Sequence, residues 1–456
     1  MNRREVLQAA GAGAALWAAG TAGGDARPAS KPSAGGPADL PQVTWSRRVP
    51  LRYEADVAVI GGGMAGVCAA AAAARGGARV VLVERFAVTG GMLTTGGVAN
   101  FCGQMTVQGE VFDEILAGLR AWKALGEAGR ASVFHYEVLA VVLQELLLRR
   151  GVKLLLHTRF ADCLLQDGRI GEAIVCGKSG PEALRAKVFI DCTGDADVAR
   201  SAGFEVMKGR PADGLQLPMS IMYFVRHVKG ESIGPDLPEG WFKPISRKED
   251  LPMTSVWPDG PGGNAIKIKV PMFDSTDTES LTAAEIRSRR RMMEVMDYHR
   301  RVEHKPWRLD HCSPIIGIRE GARIVGDYVL KVDDLRAGRA FEDGVARGTY
   351  YLDGHKPDDD KRTYILSQKE MQVPPYQIPL RSLVARDGKN LLMAGRCFSA
   401  DQLALSSARV STSCSMMGQA AGIAAALCVR RGCDVRQVEA DAVRKIVLDR
   451  GAKLDV

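Results

Sequence analysis

Three glycines in Gly61-Gly62-Gly63-Met64-Ala65-Gly66 fall at the spacing G-x-G-x-x-G, and Glu84 follows 23 residues after Gly61. This set suits a dinucleotide. Gly61 permits a tight turn, Gly63 lets backbone approach a pyrophosphate, and Gly66 lets helix and strand pack closely. A helix starting there presents free N–H groups and its positive dipole end to phosphate. Glu84 can accept hydrogen bonds from a ribose 2′-OH, which favours an adenosine dinucleotide without a 2′-phosphate. Met64, Ala65 and Arg85 join the same expected contact set. The flanks agree: an apolar β-branched run at 55–60, an Ala-rich helix to Arg75, and a second apolar strand at 79–83.

FAD and NAD share this fingerprint. Past the second strand lies Gly90-Gly91-Met92-Leu93-Thr94-Thr95-Gly96-Gly97, a glycine-dense loop that would let backbone pass a second planar group, with Gly91, Met92 and Thr94 as candidate contacts. Residues 137–194 read as a helix, a strand at 152–157, a hairpin turning at Asp167-Gly168, and a strand at 186–191 ending in Asp191-Cys192-Thr193-Gly194-Asp195. A strand at 390–394 leads to Gly395-Arg396. A later helix carries Gly418-Gln419-Ala420-Ala421-Gly422, whose two glycines share one face. Ser411-Thr412-Ser413, just ahead, can supply donors to a bound group or cap a tightly packed helix.

The blocks 57–66, 90–97, 137–203, 317–331, 376–383 and 390–427 resemble, in order, the FAD-dependent oxidoreductase family of the two-dinucleotide-binding-domain flavoprotein superfamily. Heterodisulfide reductases, in their flavin-bearing subunit, and fumarate-reductase-type flavoproteins are distant relatives. The resemblance implies that Gly61, Gly63, Gly66 and Glu84 hold the ADP half of FAD. Thr193, Gly194 and Asp195 would line the cofactor, Asp195 either directly or only indirectly, and the Gly395–Gly422 segment would close over the flavin. It also implies hydride exchange between a small organic substrate and flavin N5, with oxygen, a quinone or another carrier as electron acceptor. Reduction of a C=C bond and a purely electron-transferring subunit are alternatives. Arg319 anchors an anionic or polyhydroxylated substrate or joins an Arg–Glu network at a domain junction. His355 is the first candidate for general base and His311 the second, with Tyr376 and Arg396 as further chamber residues.

These residues must be carried by an α/β chain: a Rossmann-like FAD domain, its parallel sheet covered on both faces, interrupted by a mixed α+β substrate or cap domain. The expected division is 1–22 signal peptide, 23–48 linker, 49–204 first FAD part, 205–375 cap, and 376–456 second FAD part. The opening Asn2-Arg3-Arg4 and the short Ala/Gly-rich stretch resemble a twin-arginine signal, which predicts passage through the Tat translocase to a periplasmic or extracellular site. Of the 50 glycines among 456 residues some fall in the signal and linker, while those at 61–66, 90–97, 194 and 395–422 cluster where backbone must approach a long cofactor. A net charge of +8 is not gathered into a nucleic-acid stripe: Arg287–Arg291 lies beside Glu285 and Glu294, which favours a solvated helix face. Ten scattered cysteines without any C-x2-C support neither an iron–sulfur cluster nor a zinc site, so no metal is expected.

Overall fold

In the computed structural model the described residues are 43–126, 129–228, 237–238, 240–260 and 262–456. The expected signal peptide and all but 43–48 of the expected linker lie outside them.

Strand β1 (Leu51–Ile60) is buried over its last six residues and pairs in parallel with β2 (Val80–Val83). Beyond β2 lies β3 (Lys153–Leu155), also parallel. The hairpin β4 (Arg159–Gln166) and β5 (Arg169–Gly177) turns at Asp167 and Gly168, which both hold positive φ as a tight type I′ connection requires. It continues antiparallel into β6 (Gly180–Asp191), which returns to pair with β1.

Helix α1 (Met64–Arg75) is buried from Met64 to Ala73. Alanines leave room for a second helix, α5 (Ser411–Arg431), to lie directly on it. A Cβ on Gly418 would stand 2.2 Å from the Ala65 carbonyl oxygen, and one on Gly422 2.2 Å from that of Ala69. These two glycines, expected over the cofactor, instead bring two helix backbones together. Helix α5 is long and apolar enough to cross a bilayer, yet 94% of its apolar window is buried inside the protein, as a central core helix requires.

Between β6 and α5 the chain builds a second, antiparallel sheet of β7 (Met219–His227), β8 (Thr254–Pro258), β9 (Gly263–Val270) and β10 (Trp307–Cys312), in the order β10-β7-β9-β8. Strand alternation gives it two faces. Ile221, Tyr223, Val225, Ile266 and Ile268 pack on helix α4 (Thr278–Arg301), while Ser220, Met222, Ser255, Trp257 and Lys267 turn to a cavity. Helix α4 starts at Thr278 because Asp277 caps it, accepting from the Ser280 amide at 2.7 Å. Its basic stretch is engaged locally: Arg289 pairs with Glu285 and donates to the Pro314 carbonyl, and Arg291 pairs with Glu294 at 2.9 Å.

Residues 322–352, expected within the 205–375 insert, return to the nucleotide-binding layer. Ala322 and Ile324 join the core behind the large sheet, and Leu330, Leu335, Val345 and Leu352 join the core around α1 and α5. Strand β11 (Leu391–Met393) then adds in parallel to β6.

Candidate active site

One cavity of about 640 Å³ runs from the carboxyl ends of β1, β2 and β6 to the inner face of the second sheet. That volume suits a bound small molecule, and the carboxyl ends of parallel strands are where such sheets bind ligands.

At the nucleotide end, Gly61, Gly63, Met64 and Ala65 line the cavity. Gly61 holds φ +102°, and a Cβ there would meet the Cys192 carbonyl oxygen at 2.4 Å. A Cβ on Gly66 would stand 1.8 Å from the Gly61 carbonyl oxygen, so Gly66 works behind the wall as the packing glycine. Gly63 differs: among the described residues nothing lies within 4 Å of where its Cβ would be, so a side chain there would enter the cavity. Helix α1 has no side-chain cap and no acid in its first turn, leaving its first N–H groups for an anion. Glu84 is buried; its oxygens accept from the Gly62 amide at 2.7 Å and the Phe86 amide at 2.8 Å. Burial raises its carboxyl, against those two donors, and each oxygen retains a further lone pair for a ribose hydroxyl.

Arg85, Gly91, Met92, Thr193, Gly194, Gly395 and Arg396 also line the cavity. Other expected contacts stand one step back. Thr94 donates to the Thr89 carbonyl at 2.8 Å and shapes the glycine loop from inside. Asp195 is buried behind Arg396, which it holds at 3.0 Å, and accepts from Ser275. Gln419 accepts from the Val111 amide at 3.2 Å and donates to the Gln108 carbonyl at 2.9 Å, fastening α5 to helix α2 (Glu110–Ala121) and the loop before it. Of Ser411-Thr412-Ser413, which form the first turn of α5, only Ser411 reaches the cavity.

The opposite end holds a cluster of charge. Asp353 binds Arg409 at 3.0 Å and His355 Nε2 at 3.3 Å. Burial would raise its carboxyl, but the His355 hydrogen bond and the Arg409 and Arg319 charges outweigh that and hold it well below the usual carboxylate range. His355 is buried and stacks on Tyr364 at 4.5 Å between ring centres. Burial, aided by Arg319 and Lys267, lowers its pKa against the pull of Asp353, so the neutral ring is favoured. A carboxylate only accepts, so Nε2 carries the proton and Nδ1 keeps its lone pair. Among the described residues that Nδ1 is buried without a hydrogen-bond partner, as is Arg409 Nε.

Arg319 lines the cavity, its Nη1 donating to the Pro218 carbonyl at 2.8 Å and the Ser220 hydroxyl at 2.5 Å. The Arg–Glu network at the domain junction belongs instead to Glu320, which binds Arg323 at 2.8 Å, the Leu217 amide and Gln402. His311 is outside the cavity lining: it stacks on Phe224 at 4.3 Å and shares a hydrogen bond of 2.6 Å with the Tyr136 hydroxyl. Tyr376 is fully buried in the core, with its hydroxyl on Ser407 at 2.7 Å. Both are packing residues rather than chamber residues.

Lys267, Asp353, Arg409, Tyr350 and Tyr351 line this end and are absent from the sequence expectations. Burial, with the Arg319 charge, lowers the Lys267 ammonium to about 8. In Ala265-Ile266-Lys267-Ile268-Lys269 the alternation that marks a strand also makes its lysines look solvent-facing. The local signal for Asp353 is its place two residues before His355. All ten cysteines are free thiols, and among the described residues no group of three or more metal-ligating side chains stands together.

The sequence profile of the family described as "FAD dependent oxidoreductase" matches residues 56–447. Thiamine thiazole synthase of Methanococcus aeolicus is 33% identical over 155 residues, covering 32% of this chain and 57% of that protein, so the match spans just over half of its length. Digeranylgeranylglycerophospholipid reductase 2 of Methanothermobacter thermautotrophicus is 27% identical over 296 residues, covering 62% of this chain and 73% of that protein. Among solved structures, a geranylgeranyl bacteriochlorophyll reductase-like protein of Thermoplasma acidophilum aligns over 88% of this chain and 85% of its own, at 14% identity and a TM-score of 0.45. The anhydrotetracycline hydroxylase OxyS of Streptomyces rimosus aligns over 86% and 65%, at 13% identity and a TM-score of 0.46.

Proposed function

The chain belongs to the FAD dependent oxidoreductase family, and from that premise we propose that it moves a hydride between a small organic substrate and FAD. The observation that carries this reading is one continuous cavity, whose wall is a dinucleotide loop at one end and a charged chamber at the other. Gly61, Gly63 and the first turn of α1 would hold the pyrophosphate, and Glu84 the ribose. The start of α5 at Ser411 would face the flavin. When bound, FAD supplies an acceptor or donor of hydride at N5.

The chain's own work lies around that step. Asp353 fixes the His355 ring and its tautomer, and the His355 Nδ1 lone pair takes the proton of a substrate hydroxyl or amine as its hydride departs. Arg409 keeps Asp353 ionised. The opposite direction, reduction of a C=C bond, has one feature in its favour: Arg319 is a cavity cation whose proton affinity is lowered by burial. The test is anaerobic bleaching of the purified yellow protein against sugars, amines, hydroxy acids and unsaturated acids. Bleaching that occurs in wild type and is lost in His355→Ala, with FAD retained, supports the role of His355. A protein that purifies colourless and takes up no FAD overturns the whole reading. Export through the Tat translocase, with reoxidation by oxygen, a quinone or another carrier, completes the proposal. Replacing Arg3 and Arg4 by lysine should leave the protein in the cytoplasm.

A further inference from the structure

Resting on that reading, we propose that the chamber selects small carboxylates, gripped between the Lys267 ammonium and the open Nε–Nη2 edge of Arg319.

The chamber is built with more positive charge than its own acid can balance. Among the described residues, Lys267, Arg319, Arg362 and Arg409 line this end against Asp353 alone. Asp353 is already committed, to Arg409 and to His355. The neighbouring thiol and phenols do not supply the missing anion, since burial raises Cys102, Tyr350 and Tyr351 alike and keeps them neutral. Buried cations normally have a partner, because desolvating an unpaired charge is costly.

Lys267 sits in the middle of β9, opposite Met222 on one side and Ser255 on the other. Among the described residues its ammonium has no hydrogen bond or ion pair within bonding distance, whereas Lys269, two residues on, donates to the Lys361 carbonyl at 3.0 Å. Among the described residues Arg319 uses only Nη1 on protein acceptors, Pro218 and Ser220, and these fix its plane. A planar fork with one edge held and the other open is suited to a carboxylate, which accepts two parallel N–H bonds. A lysine alongside adds a point charge. Arg362 is engaged with the Thr254 carbonyl and the Ser255 hydroxyl at the rim. A carboxylate held here lies beside His355, leaving a hydroxyl or amine on the adjacent carbon for the proton step.

Isothermal titration calorimetry on the full FAD-loaded chain tests this with acetate, lactate, malonate and benzoate, each beside its amide, and with inorganic phosphate. At least one acid should bind tenfold or more tighter than its amide. Lys267→Met should remove that preference, leaving amide binding, FAD content and flavin midpoint potential unchanged. Arg319→Lys should retain part of it. Four acids that bind no tighter than their amides overturn the proposal, as does phosphate binding more tightly than every acid. A Lys267→Met protein that keeps the preference but shifts the flavin potential overturns it too, since the cation then serves the cofactor. Acid preference without bleaching by any substrate would instead sink the oxidoreductase reading and leave the anion site standing.

Discussion

At one end of the cavity the wall is backbone: the turn at Gly61, the open face of Gly63, the loop at Gly90 and Gly91, and the uncapped start of α1. At the other it is side chain, with Lys267, Arg319, Asp353, His355 and Arg409 drawn from β9 and from three separate loop and helix segments. A backbone wall is set by where side chains are missing, so its energetics are steric and nearly independent of pH. A side-chain wall is set by charge balance, and each member depends on the others' ionisation. The first recognises a constant cofactor; the second can be altered residue by residue to fit a substrate.

The sharpest way to break this contrast is to add one methyl group at two glycines three residues apart. Gly66→Ala puts a Cβ within 1.8 Å of the Gly61 carbonyl oxygen, so the strand–helix turn must open. The expected cost exceeds the roughly 1–3 kcal/mol of ordinary overpacking, with loss of both soluble protein and flavin colour. Gly63→Ala meets nothing in the protein. The apoprotein's Tm should stay within error of wild type while FAD affinity falls at least about tenfold, or ~1.4 kcal/mol. Equal loss of Tm in both variants would show that Gly63 also serves packing and that the wall is not reserved for a ligand.

At the other end the corresponding test is Asp353→Asn. It leaves Arg409 and His355 without their anion, and should lower stability at neutral pH by about 3 kcal/mol, the lower end for breaking a buried ion pair, since Arg409 and Asp353 keep some exposure. Because Asp353 titrates below its ordinary value, its contribution is complete above about pH 4 and fades as pH falls below that toward the folded value. The difference between wild type and variant in urea melts should therefore narrow in acid. A constant difference would assign the loss to packing.

Lys267 gives the same direction of pH dependence from the opposite cause, a buried charge that costs stability while it is protonated. Its ammonium is lowered to about 8, so between pH 8 and roughly 10.4 the unfolded chain binds a proton that the folded chain does not, and stability rises with pH. The groups acting on it are Arg319, Asp353, Cys102 and Arg409. Lys267→Met should flatten part of this alkaline rise in Tm; Lys269, also lowered to about 8 by burial, supplies the rest. A rise unchanged in the variant would place the charged lysine in water rather than against the chamber.

The same division explains what could be read from the sequence. The β1–α1–β2 unit, the hairpin at Asp167-Gly168 and the cavity glycines are local patterns, in which spacing alone dictates geometry. The chamber is not local. Lys267 lies on the inner face of a strand whose alternation signals only that one side is polar, and only the packing of β7–β10 on α4 reveals that this side meets a cavity. Gly418 and Gly422 are legible as a close approach, but the choice between a cofactor and a second helix requires the partner. Their neighbours are the carbonyls of Ala65 and Ala69.

His311 and Tyr376 give the smallest expected effects and fix the chamber's boundary. Tyr376 donates one buried hydrogen bond, to Ser407, and Tyr376→Phe keeps the ring while removing it. The cost should be about 1 kcal/mol, or slightly more because Ser407 also donates to the Tyr350 carbonyl and must satisfy its lone pairs elsewhere. His311→Phe keeps the stack on Phe224 and loses the bonds to the Tyr136 hydroxyl and the Asp310 carboxylate, at a half-exposed site where water can replace them. Neither change alters charge within the cavity, so the rate of flavin bleaching by a good substrate should stay within about twofold of wild type in both. A tenfold loss in Tyr376→Phe, with Tm barely moved, would carry the chamber wall through Ser407 and Tyr350 into the core, and the side-chain end of the cavity would then be deeper than its lining residues define.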